Sequence, residues 1–171
     1  MFWKRKKTDV TEQEIFEGLA KKFGDMIIEF MEEGTHNPTV VVDASAIAKV
    51  VTHLKNDERL QFDSLMNLAG HDAGVETEFS VIYHLVSTEL KHYITLKVFT
   101  SREDPKVASI AEIHRTADWH EREAFDLYGI IFEGHPDLKR ILMEDDWEGY
   151  PLRKDYVPAE FYRGMRIEKV K

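Results

Sequence analysis

Two stretches of the chain alternate between apolar and other residues. Phe79, Val81, Tyr83 and Leu85 form one series, and Ile94, Leu96 and Val98 form the next. A period of two is that of an extended strand, whose successive side chains point to opposite faces. The two series predict adjacent strands joined as a hairpin through Ser87 to Lys91. A sheet with one buried face is therefore the frame into which the other segments must fit.

Those segments supply two helices and three more strands. Thr11 and Glu14 have capping-box spacing. Ile15, Phe16, Leu19, Ala20 and Phe23 follow on one helical face, and Gly24 is a stop signal. Met26 to Met31 reads as a short strand, Gly34 to Pro38 as a turn, and the β-branched run Thr39 to Val42 as a second strand. Ser45 is placed to cap a helix whose Ile47, Val50, Val51 and Leu54 share one face. Asn56 to Glu58 ends it, and Phe62 to Ala69 is the next strand. The order α-β-β-α-β-β-β implies an α+β fold, a mixed β-sheet with helices packed on one face. Ser101 to Pro105 closes this unit, so residues 11–110 are expected to form an α+β sandwich domain.

The 171 residues suit one domain with an appendage. Residues 1–10 are expected to form a basic, flexible N-terminus. Phe2 and Trp3 beside Lys4, Arg5, Lys6 and Lys7 leave two readings, a solvated tail or a weak membrane-surface contact. No apolar region of signal-peptide type follows, and no apolar run is long enough to span a bilayer. A net charge of −9 repels phosphate backbones, so nucleic acid is not an expected partner. The absence of cysteine rules out disulfides, thiol catalysis and cysteine-ligated iron–sulfur clusters in this chain. Any redox centre would sit on another polypeptide.

Beyond Pro105 the pattern changes. Ile110 to Gly129 reads as helical with a break near Thr116, and residues 111–132 form a distinct helical segment. Asp118 and Glu121 have the spacing of a helix start. Leu127, Ala124, Tyr128 and Phe125 fall on an apolar face, with Arg122, Asp126, Trp119 and Glu123 opposite. Glu121 lies in the apolar arc, where its carboxylate would satisfy free N–H groups of its own first turn. Gly129 would end the helix in the left-handed conformation. The charged side has two readings. It is a solvated face with an Arg122–Asp126 pair worth about 0.3 kcal/mol, or it is pressed on another chain through Trp119 and Arg122. Residues 133–171 show no element longer than a turn or two, with Gly134, Pro136, Gly149, Pro151, Pro158 and Gly164 scattered through them. They are expected to form an extended, partner-binding C-terminal tail.

The stretch "EREAFDLYGIIFEGHPDLKRIL", Glu121 to Leu142, resembles the 30-kDa subunit of respiratory complex I, the C subunit of bacterial NADH:quinone oxidoreductases. The resemblance rests on Glu121-Arg122-Glu123, Asp126 with Leu127 and Tyr128, then His135, Lys139 and the pair Ile141-Leu142. "DDWEGYPLRKDY", Asp145 to Tyr156, looks like the family's continuation. The resemblance implies a non-catalytic assembly subunit of the peripheral arm of a proton-pumping enzyme. It would carry no cofactor, with FMN, iron–sulfur clusters and quinone on partner subunits. It would pack on the 49-kDa (D) subunit, beside the B and I subunits, on the cytoplasmic side of the bacterial membrane. Membrane association would come through the complex only. The implied partner interface is Trp119, Glu121, Arg122, Glu123, Asp126, His135, Lys139, Trp147, Tyr150, Arg153 and Tyr156. Trp147→Ala or Arg122→Ala would then weaken assembly and leave the α+β unit folded. The equivalent subunit of a membrane-bound hydrogenase or a ferredoxin-driven dehydrogenase is the related alternative.

An independent enzyme is the alternative of another class. His71 with Asp72, His84, His92, His114, His120 and His135 are candidate ligands or bases, and His135 with Glu121 and Glu123 would be the site of a hydrolase or metal-dependent enzyme. His120-Glu121 lacks the second histidine of HExxH. There is no GxSxG and no glycine-rich phosphate loop.

Overall fold

The computed structural model describes residues 10–31 and 38–167. The basic start and most of the turn expected at Gly34 to Pro38 lie outside these residues. Helix α1, Glu12–Phe23, opens on the predicted capping box. The Thr11 hydroxyl accepts the Glu14 N–H, and the Glu14 carboxylate accepts the Thr11 N–H. Gly24, with φ 57°, ends the helix. Strands β1, Ile27–Met31, and β2, Thr39–Val42, precede α2, Ile47–Asn56. Ser45 does not cap α2. It donates its hydroxyl and N–H to the Asp43 carboxylate instead, and Ala46 takes the cap position without a side-chain bond.

Strands β3, Ser64–Asp72, β4, Phe79–Val86, and β5, Tyr93–Thr100, complete a five-stranded sheet of order β1-β2-β5-β4-β3. β2 runs parallel to β5 and the other pairs are antiparallel, so the sheet is mixed. β3 starts and ends later than the apolar run at Phe62 predicts. Phe62 is fully buried ahead of the strand, packed near the His92 ring. Phe79, Val81, Tyr83, Leu85, Ile94, Leu96 and Val98 face one core with Ile15, Leu19, Ile47, Val50, Val51 and Leu54. Burying each such side chain contributes roughly 1.5–3 kcal/mol.

The region after Pro105 departs further from expectation. It begins with a strand, β6, Lys106–Ala108, and only then reaches α3, Ala117–Tyr128. The segment between them is turns, in which the Ile113 and His114 N–H groups reach the Ile110 carbonyl. β6 pairs in parallel with β7, Ile131–Glu133. This pairing ties both ends of the helical segment to the domain, because α3 is the crossover between the two strands. α3 also packs on β3: Gly70 leaves room for Tyr128, whose ring would lie 2.7 Å from any Cβ there. The tail adds only β8, Phe161–Tyr162, and β9, Met165–Arg166. None of the described helices is long and apolar enough to cross a membrane.

Candidate assembly interface

α3 places Glu121 and Asp126 where both carboxylates are fully buried. Glu121 does not serve its own first turn. Its carboxylate accepts the Ile110 N–H at 2.7 Å and the Ser109 hydroxyl at 2.5 Å, so it fastens the segment after β6 onto α3. Burial pushes its pKa up to about 7 against the pull of those two donors, and the Asp118 charge adds to the rise. The Tyr83 hydroxyl, buried and without a hydrogen-bond partner, is also raised, by burial and then by the Glu121 charge.

His135 packs into the same region. Its Nδ1 accepts the Asp137 N–H at 3.0 Å, so the ring hydrogen sits on Nε2. Nε2 lies 3.2 Å from the Asp118 carbonyl, 3.3 Å from the Asp118 carboxylate and 4.0 Å from Glu121. The ring is enclosed by its own chain.

Asp126 holds the start of the tail. One carboxylate oxygen accepts three successive N–H groups, from Ile141 at 3.0 Å, Leu142 at 2.7 Å and Met143 at 2.9 Å. The other pairs with Arg140 at 3.1 Å. Burial alone would raise this carboxyl. The three backbone donors and the Arg140 charge outweigh it and hold the group below its usual range. Arg122 is buried too. Its Nε donates to the Lys139 carbonyl at 3.3 Å, and its guanidinium lies 4.9 Å from the Trp119 ring centroid. The charged side of α3 is therefore divided: residues 139–143 of the same chain cover Arg122 and Asp126, while Trp119 and Glu123 stay exposed. The expected Arg122–Asp126 pair gives way to Arg140–Asp126.

A second anchor follows. Arg153 donates to the Tyr128 carbonyl at 2.6 Å and sits between the Phe79 and Tyr150 rings, 4.9 and 4.5 Å from their centroids. The Lys154 N–H reaches the Asp72 carboxylate at 2.8 Å, which also takes Arg102 at 2.6 Å and the Gly74 N–H at 3.0 Å. These donors overcome burial and draw Asp72 down to about 2. Arg102 reaches on to Asp155 at 3.1 Å. Gly129, φ 73°, ends α3 as predicted, and a Cβ there would stand 2.6 Å from the Tyr150 ring.

The residues expected at an interface thus divide. Glu121, Arg122, Asp126 and His135 are buried within the chain. Tyr150, Arg153 and Tyr156 are half-buried in the strap that the tail forms against the domain. Trp147 is half-buried, its ring 5.0 Å from Tyr162, and its Nε1 finds no hydrogen-bond partner among the described residues. Glu123 is exposed, Lys139 pairs on the surface with Asp137 at 2.7 Å, and Trp119 is 61% exposed. Along the strap, Leu142, Leu152, Val157, Phe161 and Met165 also face outward, Val157 at 78%. Asp72, Arg102 and Arg140 were not among the expected interface residues; Asp72 stood only beside His71 as a metal or acid–base candidate. Arg102 carries no local signal, whereas Arg140 lies inside the signature stretch. Among the described residues, no three His, Asp or Glu side chains gather as a metal ion would need. His84 lies 3.2 Å from Thr95, and His92 meets the Leu60 carbonyl at 2.5 Å.

Comparison with known proteins agrees with this architecture. The family described as "Respiratory-chain NADH dehydrogenase, 30 Kd subunit" matches residues 40–162. The NADH-quinone oxidoreductase C subunit of Chloroherpeton thalassium is 45% identical over 150 residues, 87% of this chain and 62% of that protein. The chain thus spans under two thirds of that relative's length. The corresponding C subunit of Chlorobium phaeobacteroides is 37% identical over 153 residues, 89% of this chain and 92% of that protein. The solved trypsin-resistant fragment (1-134) of Nqo5 superposes with a TM-score of 0.59 at 27% identity, covering 71% of this chain and 97% of that one. A chain of the membrane-bound sulfane sulfur reductase, an archaeal respiratory membrane complex, shares the fold, with a TM-score of 0.68 at 23% identity over 85% of each chain. By its sequence over most of its length, this chain belongs to the family of the 30-kDa subunit of respiratory-chain NADH dehydrogenase, the C subunit of the NADH-quinone oxidoreductases.

Proposed function

We propose that the chain is a non-catalytic assembly subunit in the peripheral arm of a proton-pumping NADH:quinone oxidoreductase, packed on the 49-kDa (D) subunit beside the B and I subunits. Its place is the cytoplasmic side of the bacterial membrane, reached through the complex. FMN, iron–sulfur clusters and quinone belong to its partners. One observation carries this reading: the strap is tied to the domain by hydrogen bonds to Asp126 and Asp72 while its apolar side chains stay in solvent. Exposed apolar groups on a preorganised backbone are what an interface needs, since little chain entropy remains to be lost on docking. Trp119, 61% exposed at the start of α3, is the natural anchor.

Affinity purification of the tagged chain from its native membranes tests this. The expected result is co-purification with the 49-kDa subunit and the other peripheral-arm subunits in fixed ratio. A purified chain that turns over substrate alone with bound metal would defeat the proposal and favour the independent enzyme. The Trp119→Ala chain should fold normally and recover at least about tenfold less partner, the loss of a central aromatic anchor.

A further inference from the structure

A groove of about 760 Å³ opens between α1 and the C-terminal end of α2, away from any residue of the strap. Its apolar floor is Ile15, Leu19 and Leu60, all buried. Its rim is charged, and the charges are unevenly engaged. Glu14 is occupied by the Thr11 N–H at 2.9 Å, and Asp57 by the Arg59 N–H and guanidinium at 2.9 to 3.3 Å. Lys22 meets an imidazole, His53 Nδ1 at 2.9 Å, in place of a carboxylate. Among the described residues neither Lys21 nor Lys22 has a carboxylate partner. With Asp57 paired to Arg59, the rim sets Lys21 and Lys22 against Glu14 alone, an excess of one positive charge over an apolar floor in a chain whose net charge is −9.

Gly18 lies in the middle of α1 at this groove, and a Cβ built there meets nothing within 4 Å. No contact among the described residues requires a glycine there. A glycine in a helix interior weakens the helix relative to alanine. Its bare backbone does let another segment approach α1 closely.

We propose that this groove docks an acidic amphipathic segment of a neighbouring subunit. Carboxylates of that segment pair with Lys21 and Lys22, and an apolar side chain passes over Gly18 onto Ile15, Leu19 and Leu60. Charge complementarity sets this choice. The chain's own start, with Lys4, Arg5, Lys6 and Lys7, has the wrong sign for the rim. The inference rests on the assembly reading above.

The test uses the assembled complex. A benzoylphenylalanine photocrosslinker replaces Lys21, and the adduct is sequenced by mass spectrometry. The expected product joins this chain to one net-acidic peptide of another subunit. An adduct to lipid, to a basic peptide or to this chain itself, or no adduct in an assembled particle, would overturn it. In parallel, tagged Gly18→Trp and Lys21→Glu/Lys22→Glu chains should keep the melting temperature of the free wild-type chain and recover about tenfold less complex, as reversed rim charges predict. Gly18→Ala should melt higher and assemble normally. Undiminished recovery with both disruptive variants refutes the groove alone. A wild-type chain that recovers no partners refutes the assembly reading, and the groove with it.

Discussion

Glu121 and Asp126 stand five residues apart on α3, and burial acts on them with opposite net results. Asp126 has three backbone donors and an arginine, and stays ionised in the fold. Glu121 has two neutral donors and no adjacent cation, and burial wins. Its folded pKa of about 7 lies above the unfolded value of 4.5, so its contribution to stability is present below pH 4.5 and lost as pH rises through 7. The swing is on the order of 3 kcal/mol. Glu121→Gln, which needs no ionisation, is expected to stabilise the chain at pH 8 and to change little at pH 5, by urea unfolding at both. His114 works the other way. Burial, with Lys55 nearby, lowers it to about 4, so acidification from pH 6.5 toward 4 protonates the unfolded chain first and destabilises the fold. With Glu121 replaced, this acid-side loss should stand out in the pH profile. Asp126→Ala strips the partner from three N–H groups and Arg140, and is expected to destabilise by about 2–4 kcal/mol. Equal urea midpoints for Asp126→Ala and wild type would exclude the anchoring role assigned to it.

At the scale of elements, α3 and the strap form one unit because Gly129 reverses the chain and frees the space that Tyr150 and Arg153 fill. A side chain at Gly129 meets both a left-handed φ and an aromatic ring. Gly129→Ala is therefore expected to lower stability by roughly 1–3 kcal/mol. The Asp72–Arg102–Lys154 contact is a separate clasp. Arg102→Leu should raise hydrogen exchange across residues 150–157 and speed tryptic cleavage at Lys154, with the protection of β4 and β5 unchanged. Loss of protection in the sheet itself would mean that the strap and domain unfold as one. The Asp72 contribution is present above pH 3.8 and fades as pH falls toward 2, so acid should release this clasp.

For the whole molecule, the strap has a part fastened to the domain and a part that faces solvent. Residues up to Tyr156 are held by hydrogen bonds to the domain, whereas Val157, Phe161 and Met165 are mostly in solvent. Ending the chain after Pro158 removes the Tyr162 ring from Trp147 and exposed bonds to Asp146, and is expected to lower the melting temperature by about 2–5 °C, since roughly 1 kcal/mol of contact is lost. Ending it after Leu138 removes every donor named for Asp126 and the Lys154 N–H from Asp72, and should lower the melting temperature by about 10 °C or more. Arg122→Ala, expected from sequence to spare the fold, belongs with the second class. Its guanidinium packs under Trp119 and holds the Lys139 carbonyl, so differential scanning calorimetry should show a destabilised free chain.

The local periodicities determined the sheet and two helices. Alternation at Phe79 to Leu85 and at Ile94 to Val98, the i, i+3, i+4 pattern of α2 and the Thr11–Glu14 box all act within a few residues, so their consequences are visible in one stretch of chain. Gly129 was legible for the same reason. The spacing of Glu121, Asp126 and His135 marked the family, but not what those side chains touch. Glu121 satisfies Ile110, Asp126 satisfies residues 141–143, and Asp72 takes Lys154 across 82 positions. A buried carboxylate must find donors somewhere, and which donors depends on which backbone the fold brings near. Helical geometry showed Arg122 and Asp126 on the side away from the core. Only the tertiary structure decided that the chain itself returns to cover them.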